Sequence, residues 1–181
     1  MAVNLTYFVH ATTIDNELGL ATGWRPGELS ARGREQALEL GRSLTGRRFD
    51  VVFTSDLQRA IDSARLVFGE QSSIIEDSRL RECNYGGLAG MSARSFKDRL
   101  ADHIETPFPN GESYLDVQGR IEGFLADLRM GHDGEHVAVV AHQAPQLALE
   151  VLLSGKTWHE AIEQDWRRTR AWQAGWEYLV R

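Results

Sequence analysis

The chain has 181 residues, 42% of them apolar and 25% charged, with a formal net charge of -6. That length supports one domain with a sizeable core, and the acidic balance argues against nucleic acid or an anionic membrane as the main partner. A single cysteine, Cys83, excludes an internal disulfide; with no basic-then-apolar segment at Met1-Ala2-Val3-Asn4, it points to a reducing, cytoplasmic setting.

In chain order, Leu5 to Val9 is a short apolar, β-branched and aromatic run that reads as a buried strand ending at His10. A polar loop follows, with Asn16, Gly19, Gly23, Pro26 and Gly27. It is long for a simple connection, which predicts a task at the strand ends. Ser30 reads as the N-cap of a helix over Ala31–Leu44, stopped by Gly46. Phe49–Thr54 is a second strand, and Ser55 or Asp56 caps a helix that Gly69 ends. Ser73–Glu76 is a third, short strand.

Residues 79 to 90 are Gly-rich and irregular. A helix is expected from Ser92 to about His103, and a longer amphipathic one from Glu112 to Met130. Strand His136–Ala141 runs into His142, repeating the pattern of Val9 and His10. The helix from Gln143 to about Leu153 carries Pro145 in its first turn, where a missing N–H costs nothing. A helix near Thr157–Gln164 and a last strand, Trp176–Val180, complete the chain. Alternating strands and helices predict an α/β fold with a mostly parallel central sheet and helices on both faces. The C-terminal ends of open α/β sheets hold ligands. If the strands ending at His10 and His142 are neighbours, both imidazoles face one cleft.

These segments, in this order, resemble the histidine phosphatase superfamily, the phosphoglycerate mutase-like single-domain sandwich, over nearly all of residues 1–181. Val9-His10-Ala11 stands where the family has Arg-His-Gly. Asn16 matches the asparagine of the following loop. Gly23-Trp24 and Leu29 to Ala37 match the entry to the first long helix. Phe53 to Ala60 matches the segment that presents a phosphate-binding arginine, Arg59. Leu80-Arg81-Glu82 with Tyr85 to Gly90 matches the segment carrying the acid, Glu82. Pro109 to Ser113 matches the turn before the long helix, and Val139 to His142 the second histidine.

The resemblance implies a phosphomonoester hydrolase acting on a small phosphorylated metabolite through a phosphohistidine at His10. Phosphoryl transfer needs an in-line nucleophile and cations around the equatorial oxygens, and a neutral imidazole with a guanidinium fork supplies both. His142 is expected to stabilise the transferring group by donating to it, protonated or neutral. Glu82 is expected to protonate the leaving alcohol and later to accept a proton from water. Asn16, Thr12 and Thr13 could donate to substrate or phosphate. Cys83 reads as a small buried apolar group. No cofactor is implied. No His/Cys/Asp cluster has metal-ligand spacing, and no P-loop occurs. The family's longer mutases carry insertions that enclose a bisphosphate, for which this length leaves little room.

The departures define the open question. Val9 replaces an arginine, Ala11 a glycine, and Gln143 the glycine after the second histidine. A cation must reach the phosphate from elsewhere, or the chain is a weak or silent relative that binds a phosphorylated ligand or protein. Arg25, Arg81 and Arg94 are the candidates, Arg25 first because it lies in the loop leaving His10. The C-terminal Trp158, Trp166, Trp172 and Trp176, with Arg167-Arg168-Thr169-Arg170 between them, read either as a solvated charge run beside aromatic packing or as a lid or homodimer interface.

Overall fold

The computed structural model describes residues 2–69, 73–169 and 175–181, with the side chains of Lys97 and Thr169 excepted. Five strands form one sheet: β1 (Val3–Val9), β2 (Val51–Thr54), β3 (Ile74–Glu76), β4 (His136–Ala141) and β5 (Trp176–Val180), in the order β3-β2-β4-β1-β5. All neighbouring pairs are parallel except β1 with β5. The α/β architecture with a mostly parallel sheet is the one the alternating pattern predicts.

Period-2 alternation along β1 and β4 splits their side chains between two faces. Val3, Leu5, Tyr7, Val137, Val139 and Ala141 enter the larger core. That core also takes residues of α4 (Tyr114–Gly131), α5 (Gln143–Ser154) and α6 (Trp158–Glu163). Phe8, Ala138 and Val140 enter a smaller core on the other face. There Ala64 of α3 (Gln58–Phe68) and Leu40 of α2 (Ala31–Ser43) meet them. No helix among the described residues is long and apolar enough to cross a membrane.

Several stretches differ from the sequence expectation. α3 starts after Leu57 with no side-chain cap, rather than at a Ser55 or Asp56 cap, and Ser55 Oγ instead accepts from the Leu57 N–H. A short helix, Trp166–Thr169, is not among the expected elements. The polar loop after His10 contains a short helix, α1 (Ile14–Leu18), started by a capping box. Thr13 Oγ1 accepts from the Asn16 N–H and Asn16 Oδ1 accepts from the Thr13 N–H. Reciprocal caps satisfy helix-end donors without any apolar periodicity, so period-based reading passes over such a helix. The helix expected from Ser92 to His103 is instead two 3-10 segments, Ala93–Ser95 and Lys97–His103, the second kinked at Arg99 (φ -117°). Its apolar residues Ala93, Phe96, Leu100 and Ile104 still reach the larger core.

Gly33, in the first turn of α2, lets that helix touch the chain leaving β1. A Cβ there would lie 1.9 Å from the Thr12 carbonyl oxygen. Gly119, inside α4, has open space at the same position. Gly33→Ala is therefore expected to lower the denaturant midpoint by the equivalent of about 1–3 kcal/mol through overpacking. Gly119→Ala should raise it by about 0.5–1 kcal/mol through helix propensity and a less flexible unfolded chain. Equal responses at the two glycines would contradict the close approach of α2 to Thr12.

Candidate active site

The register of β1 against β4 sets Val9 opposite Ala141, so each strand delivers its next residue, His10 or His142, to the same edge of the sheet. The His10 N–H extends the ladder by one bond, to the Ala141 carbonyl at 2.9 Å. The two imidazoles pack edge to face with centroids 5.0 Å apart.

His10 sits on a clamped loop. The Ala11 N–H donates to Ser63 Oγ at 3.0 Å, and that hydroxyl donates to the Arg59 carbonyl at 2.7 Å, which ties the loop to α3. His10 Nδ1 lies 2.8 Å from the Ala11 carbonyl oxygen. A carbonyl only accepts, so Nδ1 carries the proton and Nε2 the lone pair when the ring is neutral. Burial, and then the Arg59 charge, push the His10 pKa down from 6.5 to about 3. The ring is neutral across the physiological range.

His142 is fully buried, and neither ring nitrogen has a hydrogen-bond partner among the described residues. Its backbone is pinned by Tyr7, whose hydroxyl donates to the His142 carbonyl at 2.7 Å and accepts from the His142 N–H at 3.0 Å. Burial first, then Arg59 and His10, hold its pKa well below the usual value. Of the protonated and neutral forms that the sequence allowed, the fold favours the neutral one, a donor through a single ring N–H.

Glu82 lies beneath the head of α5. Its Oε1 accepts from the N–H groups of Cys83 (3.0 Å) and Ala144 (2.9 Å), and its Oε2 from that of Gln143 (3.3 Å). His142, the residue before α5, provides no side-chain cap, so the Glu82 carboxylate occupies the anion site that a helix N-terminus makes. The Glu82 carbonyl is held by Trp24 Nε1 at 2.6 Å and Arg120 Nη2 at 3.0 Å. Arg59, only 2% exposed, donates from Nη2 to the Gly23 carbonyl at 2.7 Å and from Nη1 to the Arg25 carbonyl at 3.3 Å. Burial lowers its pKa, with Glu82 opposing.

These groups border a cleft of about 720 Å³, whose lining includes His10, Thr12, Asn16, Arg59, Glu82 and Gln143. His142 packs behind His10 and is not part of that lining. The fold thus gathers His10, His142, Glu82, Arg59 and Asn16. A neutral imidazole lone pair, a buried guanidinium and a carboxyl group around one cleft can attack and hold a phosphate ester and, with the carboxyl protonated, give a proton to the leaving oxygen.

Two expected phosphate contacts are placed elsewhere. Thr13 is buried as the N-cap of α1, its hydroxyl committed to Asn16, and Thr12 borders the cleft instead. Arg25 is exposed and lies outside the cleft lining, with Nη1 3.4 Å from the Ala89 carbonyl oxygen. The other candidates are also spent or distant. Arg81 makes a two-pronged ion pair with Asp56 (2.7 and 2.5 Å), and Arg94 is exposed outside the cleft.

Asp165, Trp166, Arg167 and Arg168 line the cleft as well, the last three from α7 (Trp166–Thr169). Sequence reading noted these arginines and the aromatic residues around them but could not bring them to His10. Arg170 and Trp172 lie outside the described residues. Among the described residues no three His, Cys, Asp or Glu side chains are arranged to hold a metal ion.

Known proteins are similar to this chain over most of its length. A relative 29% identical over 162 residues, covering 84% of this chain and 77% of its own, is phosphoserine phosphatase 1 of Hydrogenobacter thermophilus. A 2,3-bisphosphoglycerate-dependent phosphoglycerate mutase of Methylorubrum populi is 33% identical over 154 residues, covering 76% of this chain and 73% of the mutase. Among solved structures, the alpha-ribazole phosphatase of Shigella flexneri superposes with a TM-score of 0.76 at 29% identity, covering 87% of this chain and 83% of that one. The family model of the histidine phosphatase superfamily (branch 1) matches residues 7–170, and the chain belongs to that superfamily.

Proposed function

We propose that this chain is a phosphomonoester hydrolase that passes the phosphoryl group of a small phosphorylated metabolite to His10 and then to water. The observation that carries the reading is the state of His10: a neutral ring with its proton fixed on Nδ1, which leaves Nε2 as a nucleophile at the cleft. The cleft's volume is that of a small-molecule site. Beyond the histidine its walls include Leu20, Ala93, Phe96 and Leu100, with Asp98 and Asp165.

In the first step the Nε2 lone pair forms a bond to phosphorus as the ester P–O bond breaks. The ester oxygen leaves with that electron pair and takes a proton from the Glu82 carboxyl. The Glu82 side chain lines the same cleft as His10, where the leaving oxygen departs. The phosphate competes for the N–H groups at the head of α5. In the second step water attacks phosphorus, Glu82 takes the water proton, and the P–N electron pair returns to Nε2. Arg59 meets the equatorial oxygens from the cleft wall, while His142, packed behind His10, backs the nucleophile's ring rather than lining the cleft. Asn16 Oδ1 is occupied by the Thr13 N–H, which leaves the Asn16 amide hydrogens for substrate. The cationic part is played by arginine, so the proposed route needs no metal ion.

Mixing the protein with p-nitrophenyl phosphate in EDTA and quenching in alkali should trap an acid-labile phosphate on the chain. His10→Ala should lose the adduct and at least about 10³-fold in kcat/KM. Turnover that survives in that variant would remove His10 as nucleophile.

Titration of the His10 ring by ¹⁵N NMR should show the neutral Nδ1–H form from pH 8 to pH 5, with protonation only as the pH falls towards about 3. Unfolding restores the ordinary value near 6.5, so the unfolded chain binds the extra proton first. Stability is therefore full above pH 6.5 and lost as pH falls towards 3, by roughly 1.4 kcal/mol per pH unit from this one ring. An imidazolium at pH 6.5 would show that the site is wetter than described.

Glu82→Gln keeps an acceptor for the head of α5 and removes the acid. It should slow alkyl phosphates by about 10²-fold or more, and p-nitrophenyl phosphate, whose leaving group needs little protonation, far less. Equal slowing of both substrates would rule out Glu82 as the general acid.

A further inference from the structure

Val9 lines the cleft and brings no charge to it. Of the arginines among the described residues, only Arg59, Arg167 and Arg168 line it. Arg59 spends two of its N–H groups on the Gly23 and Arg25 carbonyls, so one guanidinium that is partly committed faces a ligand carrying nearly two negative charges. Arg168 is exposed. Arg167 is partly buried and held from three sides. Its Nη1 donates to Gln143 Oε1, its guanidinium lies 5.2 Å from the centre of the Trp166 ring, and its backbone N–H donates to Asp165 Oδ1 at 3.1 Å.

Gln143 is itself oriented. Its Nε2 donates to Asp165 Oδ2, and Asp165 is buried. A carboxylate only accepts and a guanidinium only donates, so the Gln143 amide has one orientation that satisfies both neighbours. The residue that breaks the family's pattern after the second histidine is therefore the one that links α5 to α7. Arg167 also bears on the whole site electrically: its charge helps keep both His10 and His142 neutral and acts on Arg59.

We propose that Arg167 is the second phosphate-binding cation of this cleft, delivered by α7 in place of the charge absent at Val9, with Gln143 as its positioning residue. This rests on the phosphatase reading above. Arg167 lies far along the chain from His10, on the far side of α5 and α6, so a second cation does not have to come from the nucleophile's own strand. Its planar fork suits two phosphate oxygens at once, and holding it beforehand through Gln143 and Trp166 reduces the ordering cost when the anion arrives.

The test is binding of inorganic phosphate and orthovanadate, by calorimetry and by inhibition of p-nitrophenyl phosphate hydrolysis. Arg167→Ala should weaken both anions by about ten- to hundredfold, the scale of one charge-assisted contact. Arg167→Lys, which keeps the charge and loses the fork, should fall between that variant and wild type. Arg94→Ala, the removal of an exposed charge outside the cleft, should change little. Gln143→Ala should weaken anion binding severalfold in the wild type and add little in Arg167→Ala, the coupling expected of a residue that acts through Arg167. Wild-type binding retained in both Arg167 variants overturns this assignment and leaves the phosphatase reading in place. A Gln143 loss that adds in full to that of Arg167 overturns the positioning role. Wild-type protein that binds neither anion and hydrolyses no ester overturns both readings.

Discussion

Pairing β1 with β4 in parallel, with Val9 opposite Ala141, decides where both imidazoles sit. Everything in the cleft is arranged around that edge. The ladder fixes the two backbones, the Tyr7 hydroxyl locks the His142 peptide groups, and Ser63 ties the Ala11 N–H to α3. A slip of one residue in this register would send alternate side chains to opposite faces and exchange the two cores. The geometry of the cleft edge and the packing of the sheet are therefore set by the same hydrogen bonds.

Burial at that edge determines the chemistry. His142 and Arg59 are buried and His10 is part-buried beside them, so that adding charge to either ring is unfavourable both through lost solvation and through repulsion from Arg59. The rings respond by staying neutral, which is the form a nucleophilic nitrogen requires. The guanidinium stays charged because its N–H groups are taken up by loop carbonyls and because Glu82 lies close enough to favour the cation. The negative charge of Glu82 is in turn spread over three backbone N–H groups, two of them at the head of α5. The two rings, the guanidinium and the carboxylate thus belong to one packed group around the strand edge.

Much of this was legible from residue order. Short apolar runs ending in His10 and His142 follow from local composition, because strand burial is a local rule; Arg59 and Glu82 came from the resemblance of their segments to the histidine phosphatase superfamily. The match extends to the five strands and to the mostly parallel sheet. Local rules also misled. Arg25 follows His10 closely in sequence, yet its side chain runs along the surface towards Ala89, while only its carbonyl, held by Arg59, belongs to the site's frame. Thr13 looked like a ligand donor and is a helix cap. The stretch after Ser92 keeps helical spacing of its apolar residues, but the kink at Arg99 breaks it into 3-10 turns.

By itself the sequence determined the order of the five strands along the chain, the two strand-end histidines and the absence of charge at position 9, and its resemblance to a known superfamily pointed to Arg59 and Glu82. Tertiary structure alone decided which arginine reaches the cleft. Hydrophobic periodicity states which side of an element is buried; it does not state which distant segment covers the far side of a pocket. That depended on Gln143 reaching Asp165 and Arg167, and on the aromatic packing of Trp166 near Trp176. These contacts join residues far apart in the chain, and their energy depends on three-dimensional placement rather than on any pattern readable along it.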